Sequence, residues 1–202
     1  MLNNKGGLPL DVTPTFYSSG GTKLQLAPIN VREASYAEFD VREMLANAGA
    51  EFQEGSLQMT YLGKKMQLGS QVKLIDTADS LIWEEQFVEP AAKYVSSQLE
   101  AVWWMPSNNC DTKFIISNTT GAPVTATITI DGTSPGQQTP AAIQLDAHET
   151  RVLDVIRDLV KKNNGTLHTT GGVSILHTGT AGAILARMLI SKANKGFYNE
   201  FY

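Results

Sequence analysis

The chain has 202 residues, is 42% hydrophobic and 18% charged, and carries a formal net charge of −4, which suits one or two domains with buried cores. Its lysines and arginines are scattered and outnumbered by acids, which argues against a chain that tracks a nucleic-acid backbone. The single cysteine, Cys110, excludes an intramolecular disulfide and an all-thiolate zinc site, and no run of 18 apolar residues is present to insert in a membrane as a helix.

In chain order, Met1–Gly7 lacks the apolar stretch of a signal peptide. A short helix is predicted from Val41 to Ala48, with Asp40 placed as its N-cap and Gly49 as its stop. Val72-Lys73-Leu74-Ile75 reads as a strand, and the run around Glu89-Pro90-Ala91-Ala92-Lys93-Tyr94 as a linker over 89–98. Val124-Thr125-Ala126-Thr127-Ile128-Thr129-Ile130 alternates apolar and hydroxyl residues with period two, which puts one face on a core and a Thr face in solvent. The turn residues of Asn118–Pro123 and Asp131–Gly136 suit hairpins on either side of it. Further strands are predicted at 140–146, 149–154, 172–178, 183–191 and 196–202, and a second helix from Val155 to Lys162 with Asp154 as its cap. The two aspartates are thereby read as caps, not as catalysts.

The chain meets itself when shifted by 114 residues. Asn4, Gly7, Pro9, Thr13 and Thr15 fall on Asn118, Gly121, Pro123, Thr127 and Thr129, Phe39-Asp40-Val41 on Leu153-Asp154-Val155, and Leu45 on Leu159. Trp83 falls on Phe197 and Phe87 on Phe201 at the same shift. Leu24-Gln25-Leu26 matches Ile143-Gln144-Leu145 at 119, and Gly55–Met59 matches Gly171–Ile175 at 116, a drift that loop insertions would produce. The expected fold is therefore all-β: two tandem immunoglobulin-like antiparallel β-sandwiches, each with one short helix, at 1–88 and 99–202. Copy two opens with Leu99–Pro106 and Thr112–Asn118, whereas copy one begins opposite Ile115 and lacks those strands. The expectation is that the protein extends upstream, with a signal peptide and the first strands there, or that another segment or chain supplies them; unpaired strand edges would also favour a homo-oligomer.

Trp103-Trp104-Met105-Pro106, Phe114–Thr119, Leu153-Asp154-Val155, Gly171–Ile175 and Gly196-Phe197 resemble a recurring module of uncharacterised secreted proteins of acidobacterial type. More distantly, the layout of strands is similar to the sensory rhodopsin transducer sandwich. These resemblances imply an immunoglobulin-like sandwich and a secreted or envelope location, and bring no catalytic residue, cofactor or ligand.

The strongest enzyme reading is a penicillin-recognising serine hydrolase, with Ser70-Gln71-Val72-Lys73 as its S-x-x-K box and Ser107-Asn108-Asn109 and His177-Thr178-Gly179 as loose counterparts of the others. A chain of this composition produces such a box by chance. The nucleophile should open a helix, whereas Ser70 leads into a strand, where residues three apart point to opposite faces. His148, His168 and His177 fit no zinc spacing and are read as surface or half-buried structural residues. No calcium loop is present. Cys110 is placed in a polar turn beside Asp111, which disfavours a reactive thiolate. The aromatic residues carry the one positive hint. On a strand, one of Trp103 and Trp104 faces the core and the other faces outward, where it could stack on a sugar ring; Trp83 and Tyr198 are weaker candidates of the same kind. The sequons Asn118-Thr119-Thr120 and Asn164-Gly165-Thr166 carry no weight in a bacterial source. The reading is a non-catalytic structural or spacer module, with a carbohydrate- or protein-binding module as the alternative and a polysaccharide or another envelope protein as the partner.

Overall fold

The computed structural model describes residues 1–76, 81–87, 96–104, 110–130, 140–154, 158–159, 170–192 and 195–200. The chain divides into two compact units, Met1–Ser18 with Thr22–Ala91, and Ser19–Gly21 with Ala92–Tyr202. Both are built from antiparallel sheets, and the protein is all-β with a short helix.

In the first unit, β1 (Leu2–Asn4), β2 (Leu10–Ser18), β3 (Lys23–Gln25), β4 (Ile29–Val31) and β5 (Tyr36–Ala37) precede α1 (Val41–Asn47), which is followed by β6 (Gly55–Tyr61), β7 (Leu68–Asp76) and β8 (Leu81–Phe87). One sheet has the order β5-β1-β7-β8; in the other, β2 pairs β3 and β4 along one edge and β6 along the other. Leu2 from the first sheet packs with Leu10, Val12 and Val31 from the second, and Phe39, Met59 and Leu68 close around them half-buried. Two sheets joined through a shared apolar layer make a β-sandwich.

Pro14 explains why the strand beside β2 comes in two pieces. Its carbonyl accepts the Leu26 N–H at 3.0 Å, so its nitrogen lies on that same edge and has no proton to give. The partner strand breaks opposite it, into β3 and β4. Helix α1 has the expected cap: one Asp40 carboxylate oxygen accepts from the N–H groups of Arg42 (2.7 Å) and Glu43 (3.3 Å), and Gly49, at φ +67°, ends the helix.

In the second unit the strands are β9 (Gln98–Trp104), β10 (Cys110–Asn118), β11 (Val124–Ile130), β12 (Ala141–Leu145), β13 (Thr150–Asp154), β14 (Thr170–His177), β15 (Ile184–Lys192) and β16 (Lys195–Glu200). The sheets are ordered β13-β10-β15-β16 and β12-β11-β14-β9. β11 alternates as its sequence predicts, with Val124, Ala126, Ile128 and Ile130 buried and the threonines between them half-exposed. Phe114, Ile116, Leu153, Ala186 and Met188 from one sheet meet Ile128, Leu145, Val173 and Ile175 from the other in one core, each large apolar side chain contributing on the order of 1.5–3 kcal/mol.

Three expectations change. Asn118–Pro123 is not a hairpin: β10 pairs β13 and β15, β11 pairs β12 and β14, and the turn carries the chain from one sheet to the other. Cys110 is not in a turn but opens β10, opposite Lys192; the long ladder with β15 carries the strand through a polar sequence that would otherwise bend. Residue 98, placed at the end of the linker, already belongs to β9, with its Cα partner at Leu176. The linker stretch 89–95, the turn at 131–136 and most of the second helix lie outside the described residues; of that helix only Asp158 and a buried Leu159 are within them.

Candidate functional site

The most specific polar arrangement in each unit is a buried asparagine. Asn4 is 0% exposed. Its side-chain amide donates to the carbonyls of Leu8 (2.7 Å), Val31 (3.1 Å) and Arg32 (3.1 Å), and its side-chain oxygen accepts the Gly6 N–H at 2.9 Å. Its own backbone N–H donates to Ser35, and the Ala34 N–H donates to Gly6. Asn118 is 1% exposed and does the same. Its amide donates to Ala122 (2.7 Å), Leu145 (3.5 Å) and Asp146 (2.8 Å), and its oxygen accepts from Thr120 at 2.9 Å. Its N–H donates to Glu149, and the His148 N–H donates to Thr120. Every partner lies 114 residues beyond its counterpart.

Asparagine suits this place because one short side chain offers two protons and an acceptor. The acceptor closes an Asx turn on the residue two further on, and the donors tie that turn to a strand end 27 and 28 residues away. Ala34 and His148 sit at φ +46° and +57°, a left-handed backbone that costs an L-residue about 1 kcal/mol or more and that brings each N–H onto the turn.

The ladder registers agree with the asparagines. Val12 pairs Ile29 and Tyr61, while Ala126 pairs Ile143 and His177; Phe16 pairs Leu57, and Ile130 pairs Val173. The shift of 116 between Gly55–Met59 and Gly171–Ile175 fits these pairings. The match of Leu24–Leu26 to Ile143–Leu145 does not: Leu10 pairs Val31 as Val124 pairs Leu145, so Ile29–Val31 takes that place and the shift stays at 114. The break opposite Pro14 put a similar apolar-Gln-apolar run one segment early.

The remaining candidates are dispersed. Ser70 and Lys73 both lie within β7, with Cα partners at Phe87 and Glu84, and three residues apart on a strand they diverge. His177 is buried at the end of β14, and its Nε2 meets the Ser96 carbonyl at 3.1 Å. A carbonyl only accepts, so Nε2 carries a proton in this contact, and the buried Nδ1 has no hydrogen-bond partner among the described residues. The buried Thr112 hydroxyl likewise has no partner among the described residues. Among the described residues no three His, Cys, Asp or Glu side chains gather as metal ligands. The Met1 ammonium donates to the Gln71 carbonyl at 2.8 Å, and partial burial lowers its pKa against the opposing pull of Glu38.

Trp83, Trp103, Trp104 and Tyr198 are placed by backbone alone, opposite Leu74, Gly171, Thr170 and Leu189; their side chains, and His168, lie outside the described residues. A feature the sequence reading missed is the outer face of the β13-β10-β15-β16 sheet. There Val152 and Leu185 are exposed and Ile115 is half-buried, with Ile115 opposite Val152.

The class these features define is an all-β protein of antiparallel sandwich units whose described interior polar groups act largely on the backbone. Comparison of the chain with family models, with curated proteins and with solved structures finds no match. No described helix is long and apolar enough to cross a membrane.

Proposed function

We propose that the chain is a duplicated immunoglobulin-like sandwich that serves as a non-catalytic structural or spacer module of a larger secreted or envelope protein. The observation that carries the duplication is the pair of asparagine ties, six hydrogen bonds in each unit with every partner displaced by the same number of residues. Ladder register and strand order support it. Strands β5, β1, β7 and β8 follow one another across their sheet in the same chain order as β13, β10, β15 and β16 across theirs. For the structural role, the support is that Asn4 and Asn118, the most deeply buried side-chain amides among the described residues, are committed to carbonyls and turn N–H groups of their own unit. The secreted or envelope location rests on the sequence resemblance. Fold alone assigns no activity.

Glycan arrays and binding assays on envelope polysaccharides, run with micromolar protein, test the role. The spacer reading expects blank arrays. Saturable binding that is lost when Trp83, Trp103 or Trp104 becomes alanine would replace it with the carbohydrate-binding alternative. A protein-binding module is the second reading, favoured by the exposed apolar pair Val152 and Leu185; Leu185→Asp would then abolish capture of an envelope protein without loss of stability.

A further inference from the structure

Strands β6 and β14 occupy matching places in their units, and their outer edges differ. β14 is paired on both sides, with β11 along one edge and β9 along the other. Among the described residues β6 pairs with β2 alone. The cores follow the edges. On β14, Val173 and Ile175 are buried at 2% and 0% exposure, and Leu99 and Ala101 of β9 pack on the same core. On β6, Leu57 and Met59, which pair with Phe16 and Pro14 just as Val173 and Ile175 pair with Ile130 and Ile128, stay half-buried. A row of backbone donors and acceptors beside a partly open apolar layer is the physical setting for strand addition.

We infer that the β6 edge at Gly55–Thr60 is an acceptor for an added antiparallel strand, supplied by a separate extended polypeptide segment with small or branched apolar residues at alternate positions. This rests on the duplicated-module reading, and β9 supplies the template for the occupant. In β9, Leu99 and Ala101 are opposite Ile175 and Val173, while Gln98 and Glu100 are opposite Leu176 and Ser174. Carried to β6, the register sets an apolar side chain opposite Met59 and another opposite Leu57, with polar ones opposite Thr60 and Gln58. The backbone gives affinity, and the alternate apolar positions give register and choice of partner.

The probe is the capped peptide SQLEAVWW, which has the sequence of residues 97–104, added to the full chain and followed by hydrogen exchange. Exchange of residues 56–60 is expected to slow at least tenfold as the peptide approaches saturation. The same peptide carrying L99D and A101D should leave it unchanged. No slowing at millimolar peptide would overturn the inference. So would slowing confined to the β5, β8 or β16 edges, or protection of β6 that grows with protein concentration in the absence of peptide, which would make a second copy the occupant. Side-chain amide spectra of Asn4 and Asn118 separate the two failures: shared ties without peptide binding would remove strand addition and leave the duplication standing.

Discussion

Replacing Asn118 with alanine removes the donor for three carbonyls, those of Ala122, Leu145 and Asp146, and the acceptor of the Thr120 N–H. The tie to Leu145 is wholly buried and the others are part-buried. A buried polar group stripped of its partner costs about 1–3 kcal/mol, and part-buried groups recover some of that from water. The sum for Asn118→Ala is about 3–5 kcal/mol, a large share of the 5–15 kcal/mol that holds a typical domain. With an m-value of about 2 kcal/mol/M, the urea midpoint of the second unit falls by roughly 1.5–2.5 M at unchanged slope. Asn118→Asp keeps the acceptor for Thr120 but turns a carboxylate toward three carbonyl oxygens, so it destabilises at least as much as alanine. Asn30→Ala is the control, because the Asn30 amide donates at 2.8 Å to Asp11 on an exposed surface, and such a contact is worth about 1 kcal/mol or less. Equilibrium unfolding, with hydrogen exchange to assign the loss to one unit, reads all three. A loss at Asn118 below about 1 kcal/mol, or no greater than at Asn30, would refute the reasoning.

Four further outcomes follow from the same geometry. Thr112→Val should stabilise the second unit by about 1 kcal/mol, because it removes a buried hydroxyl with no partner while keeping its shape; a fall in the thermal midpoint would contradict it. Asp40→Ala should cost about 1 kcal/mol and speed exchange in α1, since the N–H groups of Arg42 and Glu43 lose their acceptor. Ala46→Gly within α1 should cost about 1 kcal/mol, whereas Ala34→Gly, at φ +46°, should cost nothing measurable in the same denaturation assay. Expression in a glycosylating host should leave Asn118 unmodified by mass spectrometry, because its amide is buried and hydrogen-bonded.

Much of the framework is legible in particular residues. Val124–Ile130 announces its strand by alternation, and Asp40 and Gly49 bracket the helix between them. The shift that lays Asn4 on Asn118 exposes a pair whose role is not local. What a short asparagine does at 27 and 28 residues' distance cannot be read from turn chemistry, and for that reason Asn118–Pro123 looks like a hairpin in sequence and is a crossing between sheets in space. Cys110 misleads in the same way, being drawn with Asp111 and Thr112 into a ladder by β15. The broken strand opposite Pro14 copies the pattern of β12 in the wrong segment. For the site, the aromatic hint falls on positions whose side chains are not described, while the exposed pair Val152 and Leu185 gives no signal in sequence, because outward apolar residues on a strand look like core residues of the opposite face.

Through-hydrogen-bond coupling in NMR spectra reads the shared tie in the most direct way. Slowly exchanging side-chain amide protons on both Asn4 and Asn118, each coupled to carbonyls four and 28 residues further along, are the predicted result. Fast exchange at either asparagine, or couplings that reach unrelated carbonyls in the two units, would contradict the account.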